Sequence, residues 1–188
     1  RFEVEAEPGH DFPICTDDLV AECQAAMVEH GCSAGLAVGS GTINDTVKMA
    51  SHNLDRPMAV VGTAPSMNGY TSGIAAILSE GVKTTNPCRA PRAVIADLDV
   101  MAEAPARMIC SGLGDLLSKP VSNSDWAMSA RLNDTPHSRE AMEIIEEGAA
   151  ALEGVAERLP DRDREAIRGL VNSLMLSGIA MSVAGSSS

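Results

Sequence analysis

The chain has 188 residues, of which 45% are hydrophobic and only 2% aromatic, and its formal net charge is −12. This length suits one large domain or two small ones, and the composition allows a sizeable aliphatic core. The acidic charge, with no basic cluster longer than Arg89 to Arg92, argues against a nucleic-acid backbone as partner.

The N-terminal region contains a weak strand pattern and then a clear helix signal. Phe2 to Ala6 alternates in polarity and predicts a strand that ends at Pro8-Gly9. Thr16-Asp17-Asp18 is a helix-start signal, and Gly31 is a suitable stop for the helix.

A strand, a glycine turn and a helix follow. The apolar run Gly35 to Val38 predicts a strand, Gly39-Ser40-Gly41 a turn, and Thr42 to Asn53 a helix. A second apolar run, Met58 to Val61, leads into the polar stretch Gly62 to Ser66. The backbone N–H groups of such a turn suit a phosphate. Two strands that end in polar loops at one sheet edge form a crevice, which is where open α/β sheets usually bind ligands.

The next elements complete the α/β part. Glu80-Gly81 separates two loosely alternating runs and predicts a hairpin. Val94 to Ala96 predicts another strand. From Val100 onward strand signals disappear and helical periodicity takes over, so we place the boundary between an α/β part and an all-α part at 98/99.

Three helical segments are predicted in the second half. Asp115 to Leu132 is interrupted by Pro120, which should kink or break a helix. A helix starting at Ser138 carries one apolar face as far as Leu159, and the last helix runs from Asp163 to Ala184.

The uncharged stretch at the C-terminus could be read in two ways. Gly169 to Ser188 is long enough to span a membrane. Asn172, Ser173, Ser177 and several glycines make it polar for a membrane span, however. We therefore expect a buried core helix and no membrane span.

The five cysteines indicate a reducing compartment. Their count is odd, they are widely spaced, and they include no C-x-x-C pair. Reduced thiols and a cytoplasmic location are therefore expected. Cys110 lies in an apolar helical context and is expected to be buried.

Four strings together indicate a family. G-S-G-T-I-N-D-T-V-K begins at Gly39, and T-A-P-S-M-N-G-Y-T-S begins at Thr63. A-D-L-D-V-M-A-E-A-P-A-R-M begins at Ala96, and G-L-G-D-L-L-S-K begins at Gly112. These strings resemble the glycerol-1-phosphate dehydrogenase branch of the iron-containing alcohol dehydrogenase superfamily.

The resemblance implies a fold and an extent. The fold would be that of dehydroquinate synthase-like proteins, with a Rossmann-like parallel sheet domain at 1–98 and a helical metal and substrate domain at 99–188. The first strand of that sheet domain would precede Arg1, and the chain begins without Met, so we expect a central fragment cut from something longer.

The resemblance also implies a reaction. It would be the metal-assisted, NAD- or NADP-dependent interconversion of a secondary alcohol and a ketone, best matched by glycerol 1-phosphate and glycerone phosphate. The partner would be a small alcohol or ketone, and the protein a homo-oligomer. Two alternatives stay open: an iron-type alcohol dehydrogenase with another polyol, and a non-catalytic nucleotide-binding homologue.

The implied cofactor contacts lie in the first two strings. They are Gly39, Gly41, Thr42, Ile43, Asn44, Asp45, Thr63, Ala64, Pro65, Ser66 and Ser72. By themselves several of these residues fit simpler roles. Asp45 could complement the helix dipole, and the hydroxyls of Thr63 and Ser66 could satisfy a turn.

The implied substrate and metal contacts are Asn68 and Asp115. The resemblance implies aspartate where this chain has Asn68, and asparagine keeps the shape but loses the charge and the acceptor-only character. Asp115 matches the family's aspartate ligand to zinc or iron, and would be both a catalytic and a substrate contact. Read without the family, it would be the N-cap of a helix. The family's two histidine ligands match none of His10, His30, His52 and His137.

Overall fold

The computed structural model describes residues 1–6 and 12–185. The elements found there are, in chain order, α1 (Asp17–Glu29), β1 (Gly35–Gly39), α2 (Gly41–Asn53), β2 (Met58–Gly62), β3 (Ile74–Ser79), β4 (Val82–Pro87), β5 (Ala93–Ala96), α3 (Leu98–Ala102), α4 (Ala106–Leu117), α5 (Lys119–Asn133), α6 (Arg139–Ala150) and α7 (Arg164–Ala184). This order confirms the predicted fold class, an α/β part with a parallel sheet followed by helices.

The parallel sheet places the glycine turn beside the second polar loop. β1, β2 and β5 pair in that order, all parallel, and α2 is the crossover between β1 and β2. Gly39 and Gly62, the last residues of their strands, are opposite each other in the register. The Thr63 N–H donates to the Gly39 carbonyl at 3.1 Å. The turn and the loop therefore begin at the same sheet edge, as the sequence predicted.

The hairpin prediction is also confirmed. β3 and β4 pair antiparallel, and Ser79 is opposite Val82. Glu80 and Gly81 have φ angles of 49° and 80°. A two-residue turn with two positive φ angles matches the twist of a hairpin, and glycine adopts this region without a steric cost.

The predicted first strand is wrong. Residues 1–6 have no regular secondary structure, and Pro8-Gly9 lies outside the described residues. Alternation of polarity supplies no hydrogen-bonding partner, and a strand exists only when a neighbour pairs with it.

The predicted helix break at Pro120 is confirmed, but the position expected for Asp115 is wrong. α4 ends at Leu117 and α5 begins at Lys119, with the proline in its first turn. Asp115 was expected at a helix start, yet it lies in the last turn of α4. The sequence misled because Gly112 and Gly114, which usually interrupt helices, are both inside this helix.

The helix predicted from Ser138 to Leu159 is shorter than expected. Ser138 caps α6 as predicted, but α6 ends at Ala150 and turns follow. Gly154 has a φ of 68°, which a helix does not permit. Val155 and Leu159 are buried all the same. The apolar pattern therefore predicted the burial of Val155 and Leu159 correctly, but it predicted their helical structure wrongly.

α7 is the central helix of the second half. Its side chains Ile167, Leu170 and Leu174 are at most 2% exposed. By length and mean hydropathy (1.4) it is the helix, among the described residues, that could cross a membrane. This hydropathy is that of an 18-residue window of α7, and 56% of the window is buried inside the protein. Such burial is the environment of a core helix.

Candidate active-site crevice

A loop of residues 63–73 lies between the sheet edge and the helices. α4 and α7 approach it so closely that side chains are excluded at two glycines. A Cβ on Gly112 would lie 1.9 Å from the Pro65 carbonyl oxygen, and one on Gly178 would lie 2.2 Å from the Asn68 carbonyl oxygen. These contacts bring the ends of the α/β part and the helical part together.

The resulting crevice is a cavity of about 630 Å³. Six residues singled out from the sequence line it, namely Gly41, Thr42, Asp45, Asn68, Ser72 and Asp115. They come from α2, the 63–73 loop and α4, which are separated by as many as 74 positions along the chain. The structure thus joins the predicted cofactor turn to the predicted catalytic carboxylate.

The N-terminus of α2 opens into this crevice. Helical N–H groups in a first turn have no carbonyl within the helix to bind. Ser40, the N-cap residue, makes no side-chain cap. The N–H groups of Gly41, Thr42 and Ile43 and the positive end of the helix dipole therefore suit an anion such as a pyrophosphate. A Cβ on Gly41 would lie 3.1 Å from the Met67 sulfur, so Met67 borders the turn on one side.

Asp115 lines the crevice together with Gly41 of the glycine turn. Its Oδ2 accepts a hydrogen bond of 2.9 Å from the Asn68 N–H. Its Oδ1 lies 3.6 Å from the Lys119 ammonium, and the Asp115 side chain is 25% exposed. The carboxylate is therefore oriented by one backbone donor and one cation while one side faces the crevice.

Asn68 connects the loop to α7. Its side-chain nitrogen donates to the Ser177 hydroxyl at 3.1 Å, and the residue is 7% exposed. The amide group thus has a structural partner as well as a place on the crevice wall.

Asp45 and Asn44 lie on the buried side of α2. Asn44 is fully buried and donates to the Asp45 carboxylate, which also accepts from the Ala76 N–H at 3.1 Å. Lys48 lies 3.7 Å from the same carboxylate. Burial raises the pKa of Asp45, and the Lys48 charge opposes that rise. Burial lowers the pKa of Lys48, and the Asp45 charge opposes that fall.

The remaining predicted cofactor residues do not line the crevice, except Ser72. The Ser72 hydroxyl is within hydrogen-bonding distance of the Gly69 and Ile74 carbonyls. Ala64 and Pro65 are buried, and the Ala64 carbonyl accepts from the Tyr70 hydroxyl at 2.8 Å. Ile43 borders a different cavity, beside Leu36 and Val38.

Three expected cofactor contacts from the glycine turn and the loop, Gly39, Thr63 and Ser66, do not line the crevice. The Gly39 carbonyl accepts from the Thr63 N–H, as described above, so Thr63 supports the edge of the sheet. Ser66 is half-buried.

Sequence reasoning missed several residues of the crevice. Met67, Lys83 and Cys15 line it, and Lys48 lies beneath it. Lys48 could have been found, since a lysine three positions after an aspartate on a helix is a usual ion-pair spacing. The other three depend on contacts between distant segments and have no local signal.

The residues present do not by themselves fit a catalytic metal. Among the residues that the structure describes, no three His, Cys, Asp or Glu side chains are grouped as ligands. Asp115 is a single carboxylate with a lysine beside it, whereas catalytic zinc takes three protein ligands. His10 lies outside the described residues, and the His137 ring packs against Trp126.

Enzymes named glycerol-1-phosphate dehydrogenase are similar in sequence to most of this chain. Glycerol-1-phosphate dehydrogenase (NAD(P)+) of Bacillus subtilis is 41% identical over 146 residues, which are 78% of this chain and 37% of that protein. The enzyme of the same name from Methanococcoides burtonii is 36% identical over 160 residues, 85% of this chain and 45% of that protein. The chain therefore spans less than half the length of these relatives.

Solved structures share the fold. A probable glycerol dehydrogenase from Sinorhizobium meliloti 1021 has a TM-score of 0.79 and 24% identity, covering 91% of this chain and 51% of that one. An archaeal halo-thermophilic alcohol dehydrogenase from a Red Sea brine pool has a TM-score of 0.78 and 17% identity, covering 99% and 51%.

A family model is matched across the turn, the loop and the parallel sheet. Its description is iron-containing alcohol dehydrogenase, and it matches residues 11–105. The chain belongs to the iron-containing alcohol dehydrogenase family.

Proposed function

We propose that this chain forms the central part of an NAD(P)-dependent, metal-assisted dehydrogenase that interconverts glycerol 1-phosphate and glycerone phosphate. One observation carries the proposal: the open N-terminus of α2 and the Asp115 carboxylate face the same crevice. The family and the named relatives imply NAD(P) and a divalent metal as cofactors. The reaction is proposed for the whole protein, of which this chain is part.

The cofactor's pyrophosphate is proposed to lie over Gly41 and Thr42. A side chain at Gly41 would enter the space above the turn, while glycine leaves the N–H groups accessible. When bound, NAD(P) supplies the hydride acceptor or donor. The protein's own contribution at this end is to bind the anion and to fix its distance from Asp115.

Asp115 is proposed as the metal ligand and substrate-side carboxylate at the opposite end. The Asn68 N–H and the Lys119 ammonium orient it. The described residues contain no complete set of metal ligands, so the remaining ligands would have to come from outside them. Asn68 is proposed to face the substrate.

The domain division at 98/99, a cytoplasmic location and a homo-oligomer complete the proposal. β5 ends at Ala96 and α3 begins at Leu98, so the division falls after the first residue of α3. The cytoplasmic location rests on the free cysteines and on the dehydrogenase relatives.

Two other functions are compatible with specific observations. Asn68 in place of the family aspartate favours a dehydrogenase for another polyol. The single carboxylate ligand favours a non-catalytic nucleotide-binding protein. NAD(P)H formation with glycerol 1-phosphate, compared with uncharged polyols, separates these from the main proposal in the protein that contains this chain.

The cofactor placement is tested by Gly41→Val. We expect the affinity for NADH or NADPH, measured by fluorescence titration, to fall by at least about tenfold because the side chain displaces the phosphate. Gly114→Val is the matched control, since a Cβ at Gly114 meets nothing within 4 Å. Unchanged affinity in a folded Gly41→Val protein would refute the placement.

A further inference from the structure

Two carbonyl groups of the 63–73 loop and its end converge on one buried ammonium. Lys48 Nζ donates to the Gly69 carbonyl at 2.6 Å and to the Ile74 carbonyl at 3.0 Å. The Ser72 hydroxyl lies 3.1 Å and 3.3 Å from the same two oxygens. A hydroxyl has one hydrogen and serves one acceptor at a time, whereas an ammonium has three. Lys48 is therefore the group that can bind both carbonyls simultaneously.

A third group, the Asp45 carboxylate, also lies close to the Lys48 ammonium. Asp45 lies 3.7 Å away, and its other oxygen accepts from the Ala76 N–H. The Lys48 side chain is 0% exposed. A buried ammonium is tolerated only when its hydrogens and charge are compensated. Here the Asp45 carboxylate on α2 compensates the charge, and the two carbonyls that accept hydrogen bonds belong to the segment of the chain that forms the crevice wall.

The same segment orients the carboxylate at the far end of the crevice. Asn68 directly precedes Gly69, the first carbonyl that Lys48 binds, and the Asn68 N–H donates to Asp115. Movement of the Gly69 peptide would therefore rotate or withdraw the donor that holds the carboxylate. Asp115 and Lys48 share no contact, so this influence passes through the backbone.

We propose that Lys48 is a positioning residue for the reactive end of the crevice. By binding both ends of the Gly69–Ile74 turn it holds the Asn68 N–H against the Asp115 carboxylate, without touching cofactor or substrate. Gly41 and Lys48 are on the same helix, about 10 Å apart along its axis. The single helix α2 thus carries both the proposed cofactor turn and Lys48, whose hydrogen bonds brace the 63–73 loop. The effect of Lys48 on catalysis rests on the proposed function, whereas its bracing of the 63–73 loop by hydrogen bonds does not.

The first test uses the 188-residue chain and needs no activity. Lys48→Met keeps the length and apolar stem but removes the charge and all three donors. We expect amide hydrogen exchange to rise at least about tenfold at residues 68–76. We also expect the Asn68 amide proton resonance to move upfield as its hydrogen bond to Asp115 lengthens.

Three comparison variants separate the brace from general destabilisation. Asp45→Asn with Lys48→Met removes the carboxylate that the single variant would leave unpaired, so global stability should recover while the loop stays loose. Ser72→Ala should loosen the loop less, because its hydroxyl serves one carbonyl at a time. Arg139→Met removes an exposed cation on α6 and should change neither readout.

The second test is a double-mutant cycle in the protein that contains this chain. If Lys48 acts through Asp115, Lys48→Met should lower kcat by about 10- to 100-fold with little change in the KM for NAD(P). In an Asp115→Asn background the same change should lower kcat no further.

The outcomes are distinct. Unchanged exchange and an unchanged Asn68 resonance in Lys48→Met would overturn the brace. An equal loss of kcat in both backgrounds would overturn positioning of Asp115 and leave Lys48 a purely structural residue. A wild-type protein without NAD(P)-dependent activity would overturn the proposed function, and the exchange and resonance data alone would then decide the brace.

Discussion

At the scale of single residues, the function of the crevice depends on which polar atoms already have partners. Asn68 uses its backbone N–H for Asp115 and its side-chain nitrogen for Ser177. Both bonds hold the residue at the junction of the loop, α4 and α7. A substitution at this position therefore changes the charge of the crevice wall while the neighbouring hydroxyl can still adapt.

Asn68→Asp is expected to shift the substrate preference toward glycerol 1-phosphate. The Ser177 hydroxyl can reverse and donate to the new carboxylate, so the fold should tolerate the change. A carboxylate at this position would accept a hydrogen bond from a substrate hydroxyl if Asn68 faces the substrate as proposed, and sites that hydrogen-bond a hydroxyl discriminate strongly. The measurement is kcat/KM for glycerol 1-phosphate relative to other alcohols. An unmoved ranking would mean that Asn68 is not a substrate contact.

The cysteines should differ in reactivity because their environments differ. Cys110 was expected to be buried, but it is exposed, since it lies on the outer side of α4. Burial raises the pKa of Cys15 to about 11. A raised thiol pKa leaves little thiolate below that pH. At pH 8 iodoacetamide should modify Cys110 first, and Cys15 should become reactive only as the pH approaches 11. Peptide mapping by mass spectrometry measures both rates, and equal labelling at pH 8 would contradict this assignment.

At the scale of secondary-structure elements, the crevice is held by the approach of helices to a loop. α4 and α7 contact the 63–73 loop through Gly112 and Gly178, where backbone meets backbone. The helix pattern alone treats these glycines as weak points. Their role is instead to allow the approach that brings Asp115 within 2.9 Å of the Asn68 nitrogen.

Gly112→Ala should destabilise the protein although alanine favours helices. The added Cβ would lie 1.9 Å from a backbone oxygen of Pro65, which cannot rotate away as a side chain could. We expect a loss of about 1–3 kcal/mol in the free energy of unfolding. Gly114→Ala, on the same helix with nothing within 4 Å, should instead gain about 0.5–1 kcal/mol. Urea unfolding followed by circular dichroism measures both, and similar midpoints for the two variants would contradict the proposed contact.

At the scale of the whole molecule, the two halves share one buried surface. The hydrophobic cluster around Leu170 and Leu174 on α7 includes Ala64 from the loop and Met101 from α3. The loop that forms the crevice wall therefore belongs to the core of the helical half. This shared packing explains how residues from the sheet edge and from α4 hold a constant distance.

This chain should bind zinc or iron only weakly through Asp115. Within residues 1–6 and 12–185 the carboxylate has no ligand partners, and the nearby Lys119 ammonium repels a cation. In calorimetric titrations of the 188-residue chain, Asp115→Asn should leave the isotherm for Zn²⁺ unchanged. Any binding by the free cysteines would appear in both proteins. Stoichiometric binding that disappears in Asp115→Asn would show that the site is complete.

The parallel strands, the hairpin and several helices were predictable from the sequence because each rests on local chemistry, whereas the bounds of α3 and α4 were not predicted and the strand predicted at Phe2 to Ala6 does not form. The cap at Thr16, the turn at Glu80-Gly81 and the break at Pro120 are all determined by residues within one turn of the feature. The family resemblance likewise depends on short strings, and it singled out Gly41 and Asp115, both of which line the crevice.

Tertiary structure alone decided how these pieces act together. The place of Asp115 at the end of α4 and the contacts of Gly112 require a loop that is 47 positions away from that carboxylate. The spacing of Lys48 from Asp45 is a local signal, but its role in holding the loop depends on the Gly69 and Ile74 carbonyls, which are 21 and 26 positions away. The local sequence pattern determines which backbone dihedrals a segment adopts. The role of a buried polar group depends instead on the hydrogen-bonding partner that folding brings to it from a distant part of the chain.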